Sequence, residues 1–180
     1  MLKVTPPLKG KRAMAYEIEL HRGIGPLSLG MSQVEVAAIL GKPDEEADPS
    51  KYSFLEDEDR PYLRYQIVET RSKTGDLPIV DLVYFKEKLA SIRLHGDSSE
   101  VLLLGRPLAK ERRRLLTELQ ARGGNVFING ESYYFEKEGI VLTRTKARKD
   151  INYAEIIDPE FQKFRFPFDR YKPHKGPIVP

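Results

Sequence analysis

Apolar and polar positions first alternate at Tyr16, Ile18 and Leu20, which are separated by Glu17, Glu19 and His21. That period predicts a strand with one buried face. Gly23, Ile24, Gly25 and Pro26 break it. A helix then begins at Gln33, because Ser32 and Glu35 form a capping box in which each side chain takes up the other's backbone amide. Val34, Val36, Ala37, Ala38, Ile39 and Leu40 make this helix apolar nearly all round, which predicts that it is well buried. Gly41 and Pro43 end it.

Beyond an acidic stretch, strand-like runs occupy 62–70, 77–85 and 89–95, with Lys86, Glu87 and Lys88 as a turn, an antiparallel meander. In the last run Leu89, Ser91, Arg93 and His95 alternate with Ala90, Ile92 and Leu94. A second helix is expected over about 107–122, with Pro107 in its first turn and Gly123 and Gly124 after its end. Leu108, Leu115, Leu116 and Leu119 form its apolar stripe, and Lys110, Arg112, Arg113 and Arg114 make it basic. A hairpin follows, with Asn129 and Gly130 expected as a type I′ turn, and strands at 140–145 and 153–157. From Asp158 the chain is aromatic and basic.

After the opening strand the order is helix, strands, helix, strands. Leu27, Ser28, Leu29 and Gly30 precede the first helix; Leu102, Leu103, Leu104 and Gly105 precede the second, 75 residues later. These observations predict an α+β fold of two tandem repeats, each a short helical element packed on a small antiparallel β-sheet. The expected divisions are an arm over 1–13, a first repeat over 14–97 containing an acidic loop at 44–60, a second repeat over 98–158, and a tail over 159–180.

The run from Gly23 to Ser32 (GIGPLSLGMS), with Glu35, Val36, Leu40, Gly41, Lys42 and Pro43, resembles the opening of many small bacterial immunity proteins. Tyr133, Tyr134 and Phe135, followed by Gly139 and Ile140, resemble a strand pair of the same proteins. These proteins are similar in build to the β-lactamase-inhibitor-like fold. The resemblance implies a protein that neutralises a cognate secreted toxin domain by covering its active site. It carries over no interface residue. A comparable Gly-Met-Ser helix opening occurs in small outer-membrane lipoproteins, which need a lipidated cysteine that this chain lacks.

Charge sharpens that expectation. The formal net charge is +3 over 180 residues, yet 44–60 holds eight acids against Lys51 and Arg60. A toxin that acts on nucleic acid or nucleotide has a positive site. Asp44, Glu45, Glu46, Asp48, Glu56, Asp57, Glu58 and Asp59 could imitate its polyanion, with Tyr52, Phe54 and Tyr62 as aromatic anchors.

Chemistry is sparse. There is no cysteine, and His21, His95 and His174 lack metal-ligand spacing. Neither a nucleophile elbow nor a phosphate-binding loop occurs. The reading is a binding protein rather than an enzyme, with no cofactor and no metal. An N-terminus without a signal-peptide core and the absence of a long apolar run point to the cytoplasm and away from membranes. The rival is an RNA-binding accessory protein that uses the basic helix and the tail, where Lys163, Arg165, Arg170, Lys172 and Lys175 interleave with Phe161, Phe164, Phe166, Phe168 and Tyr171. The moderate net charge disfavours a dedicated nucleic-acid binder, and those aromatics are expected to pack on the body.

Overall fold

The computed structural model describes residues 16–43, 45–47, 68–72, 80–95, 101–144, 151–165 and 172–178. The arm over 1–13, the body of the acidic loop and most of the strand expected at 62–70 lie outside them. The fold is α+β, with two sheets and few helices.

The smaller sheet holds β1 (Tyr16–Glu19), β2 (Gly23–Ile24), β3 (Leu27–Ser28), β8 (Val101–Leu103) and β9 (Arg106–Pro107), in the order β3-β2-β1-β8-β9. β1 and β8 run parallel, with Tyr16 opposite Val101 and Ile18 opposite Leu103. The larger sheet joins two antiparallel meanders. One contains β4 (Glu45–Ala47), β5 (Val68–Ser72), β6 (Val80–Phe85) and β7 (Lys88–His95). The other contains β10 (Val126–Asn129), β11 (Ser132–Phe135), β12 (Ile140–Arg144) and β13 (Ile151–Ile157). Antiparallel pairing of β7 with β13 fuses them into one eight-stranded sheet, β10-β11-β12-β13-β7-β6-β5-β4. The separate small sheet expected for each half is therefore half of a common sheet.

One face of this sheet carries the main core. Leu82, Ile92, Leu94, Ile140, Leu142, Ala154 and Ile156 pack there with Leu115, Leu116 and Leu119 of α2 (Arg112–Ala121), and with Ile18, Ile24, Leu27, Val101 and Leu103 of the smaller sheet. Three of the four leucines read as its stripe thus form the buried face of α2, while the fourth, Leu108, is buried ahead of the helix. Its start is not at Pro107, which pairs with Leu102 in β9. Pro107 instead ends a hairpin whose turn, Leu104 and Gly105, has both φ angles positive, and α2 begins one turn further on.

α1 (Gln33–Leu40) has the expected span and capping box. Its burial differs from expectation. Val36 is buried, whereas Val34 is 80% and Ile39 40% exposed. Eight residues present about two turns, and the core takes Val36 fully and Leu40 in part.

Two turns also differ. Asn129 pairs directly with Ser132, so the hairpin loop is Gly130 and Glu131, of which Gly130 alone has positive φ. The pattern of two positive φ angles occurs instead at Lys86 and Glu87, with φ 52° and 63°, as it does at Leu104 and Gly105. Beside this turn the register shifts between Val83 and Tyr84. The bulge moves Leu89 onto the main-core face and Ala90 onto the opposite one, reversing the assignment that strict alternation gave them.

The opposite face carries a second cluster: Val83, Phe85, Ala90, Phe127, Tyr134, Val141 and Ile157 with Phe161 of α3 (Pro159–Arg165). The Phe161 ring lies 5.4 Å from that of Phe85, and Lys86 at the tight turn bonds to Glu160. The start of the aromatic tail therefore packs on the body, as its composition led one to expect.

Candidate interaction surface

The second face of the large sheet holds the densest polar chemistry among the described residues. Glu155 on β13 is 1% exposed. Its Oε1 accepts from Ser91 Oγ at 2.6 Å and from Arg93 Nε at 3.0 Å, both on β7, and its Oε2 accepts from Tyr153 Oη at 3.1 Å. A buried carboxylate survives only when paired and hydrogen-bonded, and these donors meet both requirements. The network sits on the seam where the two meanders join.

It belongs to a row running across all eight strands. Registration places Glu45 opposite Arg71, Arg71 opposite Asp81, Asp81 opposite Arg93, and Arg93 opposite Glu155. The row continues through Val141 and Tyr134 to Phe127. Charge alternates over five strands and then gives way to an aromatic end, where the Phe127 and Tyr134 rings lie 6.1 Å apart. Burial drives the Tyr134 hydroxyl far above its usual range, with Glu136 and Glu155 adding to the effect. Such a tyrosine stays neutral. Opposite charges on neighbouring strands contribute roughly 0.2–1 kcal/mol each.

A polar row lies beside it. Asn129, Ser132, Thr143 and Tyr153 stand opposite one another on successive strands, and His95 follows on β7. Ser132 and Thr143 share a hydrogen bond of 2.7 Å. Hydroxyls and amides in line offer adaptable hydrogen bonding to a partner surface.

Of the expected toxin-contacting residues, Glu45 and Glu46 fall in β4, the outermost strand at the charged end of the sheet. Asp44, Asp48, Tyr52, Phe54, Glu56, Asp57, Glu58, Asp59 and Tyr62 lie outside the described residues. The segment containing most of them links β4 to β5 in the sequence. Sequence reasoning did not single out Ser91, Arg93, Tyr153 or Glu155. The available signal was a polar or charged residue at alternate positions of β7 (Ser91, Arg93, His95) and of β13 (Tyr153, Glu155), with apolar residues between them.

A second buried acid sits at the turn between β11 and β12. Glu138 is 5% exposed, and burial raises its carboxyl above the ordinary range against the opposing pull of Lys137, Arg122 and His21. His21 lies in a turn with φ 63° rather than at a strand end, and its Nε2 is 2.7 Å from the Lys137 carbonyl. Gly139 leaves room for this ring, since a Cβ there would come 2.9 Å from His21 Nδ1. This cluster ties the β1–β2 turn to the other half of the chain.

The cations of α2 are dispersed. Arg112 is buried, Arg114 bonds to Glu111, and nearby Arg106 bonds to Glu118. Among the described residues no group of His, Asp and Glu is placed to hold a metal ion, and no helix is long and apolar enough to cross a membrane.

No family model and no curated protein matches the chain. Two solved structures resemble it. One is a cysteine-rich secretory protein from Staphylococcus aureus subsp. aureus Mu50, at 9% identity and a TM-score of 0.46, covering 82% of this chain and 49% of that one. The other is an extracellular protein containing an SCP domain from Bacillus anthracis str. Ames, at 9% identity and a TM-score of 0.47, covering 100% of this chain and 57% of that one. The chain thus spans about half the length of each.

Proposed function

We propose that this chain is a protein-binding inhibitor of the immunity type, which docks a cationic toxin domain on the acidic edge of its large sheet and occludes the toxin's active site. The observation that carries the reading is the acidic outer end of the charged row, Glu45 on the edge strand β4, since Glu155 at the inner end is buried and paired with Arg93. The acidic segment departs from that same edge strand. An acidic edge strand continuous in sequence with an acidic segment selects a partner by electrostatic complementarity more than by buried area. The same reading treats the chain as two tandem helix-plus-meander units, each contributing four strands, with Glu155 and Arg93 joining them.

In this view the chain works inside the cell that makes it, on a toxin delivered from outside, and performs no chemistry itself. The test is co-expression with the variable C-terminal domain of a secreted protein encoded by the neighbouring gene. Restored growth and a stoichiometric complex on gel filtration support the reading. Unrestored growth and no complex, alongside retention of the chain on cellular RNA, would replace it with the RNA-binding alternative.

A further inference from the structure

The segment 172–178 passes the outer edge of β10 and reaches the main core. It is held at three points. The His174 amide donates to the Val126 carbonyl at 2.7 Å. Gln120 on α2 then uses both ends of its side chain: Nε2 donates to the Gly176 carbonyl at 2.6 Å, and Oε1 accepts from the Ile178 amide at 3.1 Å. Ile178 is 7% exposed and joins the main core, while Lys172 through Pro177 are all exposed. The grip therefore consists of main-chain hydrogen bonds and one aliphatic anchor.

That is how a peptide-binding groove reads its ligand. A glutamine amide that both donates to and accepts from the same backbone copies the bonding of a neighbouring strand, and so tolerates varied side chains. Two positions are selective. Gly176 has φ +130°, which residues with a Cβ rarely adopt, and position 178 must fill an apolar pocket. We propose that the groove between α2 and the β10 edge is a peptide-binding site whose resident ligand is the chain's own segment 172–178. An extended segment of a partner protein with glycine two residues before a branched aliphatic residue takes its place. This site is separate from the charged row and does not depend on the function proposed above.

The experiment uses the full-length Ile178→Asp variant, which ejects the resident anchor, and a fluorescent synthetic peptide of residues 172–180. Anisotropy should show one-to-one binding to the variant and at least tenfold weaker binding to the parent, whose groove is filled. A peptide carrying Ile178→Asp should not bind. No binding by a variant that retains its circular dichroism and melting transition would overturn the proposal, as would equal binding by the parent. A second variant, Gln120→Ala, guards against misfolding of the first. It should accelerate hydrogen exchange of the Ile178 amide at least tenfold while the amides of β12 and β13 stay protected, and unchanged exchange would count against the site. A doubled mass at high concentration through exchanged tails would contradict a partner ligand and leave self-exchange.

Discussion

Replacing Glu155 with Ala tests whether the seam between the meanders rests on a buried charge network. The substitution removes the acceptor of three hydrogen bonds, at 2.6, 3.0 and 3.1 Å. It also strips the Arg93 guanidinium, whose side chain is 12% exposed, of its Glu155 counter-charge. Breaking a buried pair from one side costs about 3–5 kcal/mol. For a chain of this length that corresponds to a fall in melting temperature of roughly 6–20 °C. Replacing both partners, Arg93→Met with Glu155→Leu, removes the Arg93 charge as well. The double variant should be more stable than Glu155→Ala, because an apolar pair of similar volume in place of a buried ion pair is often neutral. Urea unfolding followed by tryptophan-free probes such as far-ultraviolet circular dichroism gives both values. A loss below about 1 kcal/mol for Glu155→Ala, or a double variant as unstable as the two single losses added, would refute the reasoning.

Three further outcomes follow from the same structure. The Glu138 carboxyl is raised in the folded state, so the folded chain binds that proton more readily than the unfolded one; its contribution is present at acid pH and is lost as pH rises from the ordinary carboxylate range through the raised value. Glu138→Gln should accordingly match the parent at low pH and melt higher at neutral pH, and equal melting at both would contradict the assignment. Phe161→Ala should cost about 3–5 kcal/mol, since the ring is 1% exposed against Phe85; an unchanged urea midpoint would mean the tail contributes no packing. Glu87→Gly should stabilise by about 0.5–1 kcal/mol, because Glu87 holds φ 63° without glycine's freedom, and a lowered midpoint would show that its side chain matters more than its strain.

Local signals carried much of the fold. Ser32 and Glu35 announced α1, and the leucines at 115, 116 and 119 marked the buried face of α2, because capping and helical periodicity are properties of adjacent residues. Failures came where the decisive partner was distant. Val34 and Ile39 are as apolar as Val36, but only the position of the sheet decides which one it covers. The bulge at Val83 and Tyr84 inverted Leu89 and Ala90 through one inserted residue. Pro107 looked like a helix start until Leu102 paired with it. The charged row was illegible for the same reason: Glu45, Arg71, Asp81, Arg93 and Glu155 become neighbours only once the strand order is known. The acidic segment was visible at once, since eight acids in 44–60 need no fold to be counted.

The central claim is that a cationic partner is captured through the acidic edge of the sheet. Its most direct test is the association kinetics of the purified pair at low and high salt, for the parent and for a variant with Glu56, Asp57, Glu58 and Asp59 changed to Gln or Asn. As the Debye length falls from about 10 Å at 0.1 M to about 3 Å at 1 M, the parent should associate more slowly. The neutralised variant should associate slowly at both salt concentrations and protect cells poorly. Parent and variant that bind at the same salt-independent rate and protect equally would contradict the claim.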